Sequence, residues 1–113
     1  MAIDVKAELS NCHVSPQKAR LVLDMVRGKM AEEAISSLKF INKKSALPLS
    51  KLIASAIANA ENNFGLASAK LYIHEITADA EPLRKWRRFG ARGRFKPILR
   101  RASHIKIVLR EKA

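Results

Sequence analysis

Residues 84–101 contain Arg84, Lys85, Arg87, Arg88, Arg92, Arg94, Lys96, Arg100 and Arg101, and no acid among them. No protein core can hold such a stretch, because buried unpaired charge is too costly. A structureless loop of the 23 residues from 80 to 102 is uncommon in a compact domain. Both flanks read as strands, so the segment is expected to be an extended β-hairpin. About 11 residues per leg at ~3.3 Å each would reach ~36 Å, against a radius of gyration near ~13 Å for a compact body of this length. The hairpin should therefore protrude. Gly90 and Gly93 fall near its midpoint, where the turn belongs.

The charge is segregated. Residues 1–81 are nearly balanced at +1, whereas residues 82–113 carry +11 of the total +12. An anionic partner follows, nucleic acid before acidic membrane. Arginine dominates the basic run, and its planar fork suits phosphate oxygens. Trp86, Phe89 and Phe95 are interleaved with it, in the manner of RNA-binding segments that stack bases on aromatic rings. No apolar stretch approaches the ~20 residues of a transmembrane helix. The first residues alternate in polarity, so no signal peptide is expected. The single cysteine, Cys12, cannot form an internal disulfide, and a reducing cytoplasmic setting is expected.

The remaining residues predict one α+β domain over 1–113. Ile3, Val5, Ala7 and Leu9 alternate with Asp4, Lys6 and Glu8, predicting a strand over 2–9 with one buried face. Ser15-Pro16 predicts a helix start, and Gly28 its stop. Ala31 to Leu38 predicts a short second helix, and Lys43 to Asn62 a longer third. Pro48 sits harmlessly in its first turn if Ser45 is the cap, or kinks it if Asn42 is. Residues 69–78 and 104–110 predict two more strands. Three helices should cover one face of a three-stranded antiparallel sheet.

Catalytic and metal chemistry find little support. Ser10, Cys12 and His13 are adjacent but lack a predictable acid, and His13, His74, His104 and Cys12 do not have zinc-site spacing. No cofactor, metal or enzyme activity is expected. A small ribonuclease using His13 or His104 is the weakest reading, and a DNA-bending architectural protein with a basic β-arm is the stronger alternative. Gly90-Ala91-Arg92-Gly93 matches a GxxG pattern, but its flanks favour a plain turn. Lys18-Arg20 and Lys43-Lys44, taken singly, read equally well as solvated helix faces.

Several ordered blocks resemble the bacterial family of large-subunit ribosomal protein number twenty-two. Ser15-Pro16-Gln17-Lys18-Ala19-Arg20-Leu21-Val22 and Arg27-Gly28-Lys29 are similar to its first helix. Asn42-Lys43-Lys44-Ser45-Ala46 and Ser55-Ala56-Ile57-Ala58-Asn59-Ala60-Glu61-Asn62-Asn63 are similar to its long helix. Pro82-Leu83-Arg84-Lys85-Trp86, Ala91-Arg92-Gly93-Arg94 and Arg101-Ala102-Ser103-His104-Ile105 are similar to its hairpin and last strand. The resemblance runs from about residue 3 to 110; Phe89-Gly90 stand where the family often has Pro-Arg, and Phe95 where a small residue is usual.

The resemblance implies a structural constituent of the large ribosomal subunit in the cytoplasm. Such a protein binds 23S-type rRNA, supports assembly by bridging rRNA domains, and extends its hairpin to the wall of the polypeptide exit tunnel. Implied partners are rRNA, neighbouring large-subunit proteins, and nascent polypeptide and macrolides near the hairpin tip; neither a membrane nor a homo-oligomer is implied. The candidate rRNA contacts are Ser15, Lys18, Arg20, Lys43, Lys44, Arg84, Lys85, Trp86, Arg87, Arg88, Arg92, Arg94, Lys96, Arg100, Arg101 and His104. The candidate tunnel-facing tip is Arg87, Arg88, Phe89, Gly90, Ala91, Arg92, Gly93 and Arg94.

Overall fold

In chain order the elements are β1 (Val5–Cys12), α1 (Pro16–Val26), α2 (Ala31–Leu38), α3 (Ala46–Phe64), a 3₁₀ turn (Ser68–Lys70), β2 (Leu71–Ala80), β3 (Arg84–Phe89), β4 (Phe95–Arg100) and β5 (Ser103–Glu111). The structure is a computed structural model and describes residues 3–12, 14–81, 84–89 and 95–112. The expected turn at Gly90–Gly93 lies outside those residues.

Local chemistry accounts for the helix ends. Ser15 caps α1, its side chain accepting from the Lys18 backbone N–H at 3.4 Å, with Pro16 at the first helical position. Gly28 follows the helix at φ +81°. Glu32 and Glu33 occupy the first turn of α2, where the helix dipole favours negative charge. α3 starts later than its apolar spacing predicts. Ser45 is the cap residue and Ala46 N–H closes a turn onto Lys43 O at 3.1 Å, so Pro48 falls in the first turn and interrupts no helical hydrogen bond. Gly65, at φ +65°, ends α3 in the left-handed region, and the Leu66 N–H returns to Ala60 O at 3.1 Å.

β1, β5 and β2 form an antiparallel sheet in that order, with β5 central. Val5 pairs with Leu109 and Leu9 with Ile105, so the apolar residues of both strands share one face. β2 keeps its apolar face despite an irregular sequence: the register slips between Ile73 and Glu75, leaving His74 and Glu75 exposed while Ile73 and Ile76 are both buried. α3 packs over β1 and β5, and α1 over β2, while α2 contacts both β2 and α3. The core between helices and sheet includes Leu23, Leu49, Ile53, Ile73, Ile105, Ile107 and Leu109, each fully buried. The opposite sheet face is polar.

The outer edge of β2 is covered rather than open. Met30 forms an antiparallel bridge with Tyr72, and Ile73 N–H donates to Lys29 O at 2.9 Å. Further along, Arg27 Nη2 donates to Ile76 O at 2.9 Å, and Arg20 donates to Ala78 O from Nε at 3.2 Å and Nη2 at 2.9 Å. Carbonyls two residues apart on a strand point the same way, so arginines two helical turns apart reach successive ones. Edge carbonyls that could pair with another chain are thereby occupied.

β3 and β4 pair antiparallel as a separate two-stranded sheet, from Arg84 opposite Arg100 to Phe89 opposite Phe95. They continue the β2–β5 ladder, with Glu81 N–H donating to Ala102 O at 3.1 Å between the two sheets. Ala80 pairs with Ser103 and Arg84 with Arg100, so the outgoing leg has one residue more than the returning one. The radius of gyration is 17.2 Å and the molecule measures 64 × 26 × 18 Å, against ~13 Å for a compact chain of this length.

Candidate nucleic-acid interface

Three distant parts of the chain meet where the hairpin leaves the body. The N-terminus of α1, the segment leading into α3, and the junction of β2 and β5 with the hairpin enclose an open groove of about 1110 Å³. Lys18, Arg20, Lys43, Lys44 and Arg101 line it, with Ser15, Ser45 and a single acid, Glu81. All five basic residues are exposed. Among these, spacing alone could join neither Lys18 to Lys43 nor either to Arg101.

The groove suits an extended polyanion. Five cations against one carboxylate leave a local positive excess in a concave surface, where fields are strengthened. The first N–H groups of α1 add partial positive charge at the groove wall. Ser15 Oγ accepts from the Lys18 N–H, which leaves its own hydroxyl proton for an anion. The exposed Leu21 side chain gives the groove an apolar strip beside Lys18.

Arg20 has a second role that its position in the sequence does not reveal. Its Nε and Nη2 are engaged with Ala78 O, so it ties α1 to the edge of β2 while keeping its charge on the groove wall. Arg27, two turns on, makes the same kind of tie to Ile76 O and also pairs with Asp24.

His104 is elsewhere. It stands on the polar outer face of the sheet, with Nδ1 3.0 Å from Ser10 Oγ and Nε2 3.5 Å from Glu8 Oε2; Glu81 Oε1 lies 3.9 Å from Nδ1. A hydroxyl donating to Nδ1 and an Nε2–H turned toward Glu8 satisfy the Ser10 and Glu8 contacts together. Ser10 and His104 are 94 positions apart in sequence, so no local pattern brings these groups together. Ser10, His104 and Glu8 have the residue types of a nucleophilic relay, but they lie on an open sheet face, and the shallow pocket that Glu8 lines with Lys6, Asn59 and Asn63 includes neither Ser10 nor His104. Cys12 is buried, and His13 lies outside the described residues.

Of the remaining candidates, Arg84, Lys85, Trp86, Arg87, Arg88 and Phe89 lie on β3, and Lys96 and Arg100 on β4. Gly90, Ala91, Arg92, Gly93 and Arg94 lie outside the described residues. No helix among the described residues is long and apolar enough to cross a membrane.

The groove, the basic paired strands and the α+β body agree with one comparison. Residues 7–110 match the family model of ribosomal protein L22p/L17e, nearly the whole chain. That family is structural rather than enzymatic, and its members bind rRNA within the large ribosomal subunit in the cytoplasm. The chain therefore belongs to the ribosomal protein L22p/L17e family and is an rRNA-binding constituent of the large subunit.

Proposed function

We propose that the groove at the hairpin base holds the rRNA backbone against the protein body, and that β3 and β4 carry the contact outward. The observation behind this reading is the meeting of Lys18, Arg20, Lys43, Lys44 and Arg101 in one groove. In this reading Ser15, Lys18, Lys43, Lys44 and Arg101 take phosphates directly, and Arg20 contributes charge from a fixed position. The basic residues of β3 and β4, with Trp86 and Phe95, extend the contact along the hairpin. His104 would contribute at the sheet face, where it first has to release Ser10 or Glu8. A body and an arm held by different stretches of RNA would bridge rRNA domains and so support assembly. The tip, residues 87–94, would reach the exit-tunnel wall and meet nascent chains and macrolides, as the family likeness implies.

Each phosphate neutralised contributes about 0.7–0.9 to the slope of log affinity against log salt. Removing Lys18, Lys43 and Lys44 together should therefore flatten that slope by about 2–2.7 units on deproteinised large-subunit rRNA. An unchanged slope would move the binding away from the groove. Arg100→Ala with Arg101→Ala should flatten it by about 1.4–1.8 units. For the tip, a photoreactive group at Ala91 in assembled ribosomes should cross-link to a nascent chain. Cross-links to rRNA alone, with a stalled nascent chain present, would sink the tunnel assignment.

A further inference from the structure

Phe40 is the most exposed large apolar side chain among the described residues, at 89%. It follows α2 in a turn fixed by two backbone bonds: Phe40 N–H to Ser37 O and Ile41 N–H to Leu38 O, both 3.2 Å. Leu38 is buried and Ile41 packs against the core on the other side, so this turn holds the ring outward rather than leaving it loose.

The stretch of chain on either side of it carries one sign of charge. From residue 34 to 60 the chain has no acid and contains Lys39, Lys43, Lys44 and Lys51. Lys39, Asn42, Lys43 and Lys44 are exposed, and Lys43 and Lys44 continue from this turn into the groove. An exposed aromatic ring flanked by lysines matches the two chemistries of a nucleic-acid strand, the flat face of a base and the phosphates on either side. A docking protein would have to be acidic to suit the same lysines, and the main partner of this chain is RNA.

We propose that Phe40 stacks on an unpaired base of the large-subunit rRNA, while Lys39, Lys43 and Lys44 hold the adjoining phosphates. This rests on the groove being an rRNA contact and adds to it a base-reading position outside the hairpin.

The test uses the full chain, deproteinised large-subunit rRNA and a salt series. Phe40→Leu keeps an apolar side chain but removes the flat face, and should weaken binding about 5- to 100-fold with the salt slope unchanged. Phe40→Trp should bind at least as tightly as the parent. Lys43→Ala with Lys44→Ala should flatten the slope by about 1.4–1.8 units. If Phe40→Leu binds like the parent while the lysine pair flattens the slope, stacking is overturned and the groove reading stands. If neither variant changes binding, both are overturned. If Phe40→Leu binds bare rRNA normally but fails to enter large subunits, the ring docks on a neighbouring protein and the proposal fails. A benzoylphenylalanine at position 40 supplies a second readout in which an aromatic side chain is kept. A cross-link to an rRNA base supports the stack, and its absence from folded, rRNA-bound protein refutes it.

Discussion

Replacing Arg20 with alanine separates two roles that a basic residue on a groove wall can play. Its Nε and Nη2 donate to Ala78 O at 3.2 and 2.9 Å in a partly buried setting. Hydrogen bonds from charged donors contribute about 1.5–3 kcal/mol when buried. Here water can reach part of the contact and can rehydrate an edge carbonyl, so about 1–2 kcal/mol is the expected loss. Unfolding entropy of about 2.1 cal/mol/K per residue makes 1 kcal/mol worth about 4 °C in a chain this long. Arg20→Ala should thus lower Tm by about 4–8 °C. With two of its nitrogens already engaged, its loss should flatten the rRNA salt slope by less than about 0.5 unit. Lys18→Ala should do the reverse, flattening the slope by about 0.7–0.9 with Tm within about 2 °C of the parent. Arg20→Lys keeps the charge without the fork, so its Tm should fall nearly as far as that of the alanine variant. Thermal melts by circular dichroism and filter binding across a salt series read both quantities. A parental Tm for Arg20→Ala with a slope flattened by a full unit would refute the reasoning. The guanidinium would then serve phosphate, and something else would hold α1 to β2.

Three further outcomes can be measured on the protein alone. Ser103 Oγ is buried with no hydrogen-bond partner among the described residues, so Ser103→Ala should leave Tm unchanged or raise it by a few degrees, and a fall of more than about 1 kcal/mol in a denaturant titration would contradict this. Gly65→Ala meets open space but must hold φ +65°, so it should cost about 1 kcal/mol through backbone strain alone, and an unchanged urea midpoint would contradict this. A side-chain hydrogen bond and charge attraction from Arg110 hold the Asp4 carboxyl below the usual carboxylate range despite some desolvation. Its contribution is therefore complete above the unfolded carboxylate pKa and is lost as pH falls through the lowered native one. The Tm gap between the parent and Asp4→Asn should close at the acid end, and a gap that widens there would reverse the assignment.

Capping and periodicity made most of the body legible. Ser15-Pro16, the 31–38 repeat and the alternation at 105, 107 and 109 all act within a few residues, and each reappears in the fold. Long-range facts were not legible. The slip at His74–Glu75 is a pairing decision made against β5, and no local pattern around it distinguishes a bulge from a weak strand. Lys18-Arg20 and Lys43-Lys44, taken singly, read equally well as solvated faces, and only the fold brings them to one groove with Arg101. Arg20 and Arg27 look alike in sequence whether they meet phosphate or a carbonyl, because the carbonyls belong to residues 58 and 49 positions away.

The position of β5 in the sheet sets an order in time. β1 and β2 are never neighbours; within their sheet each pairs with β5, which follows every other element in the chain. Val5 meets Leu109 across nearly the full length of the described chain. As the protein is synthesised, the helices therefore emerge before the sheet that covers Leu23 and Ile53 can close. The basic residues 84–101 also precede β5. They are available to RNA before the body has finished folding, so capture of the nascent protein by its anionic partner can begin during the interval when its apolar surface is most exposed to aggregation.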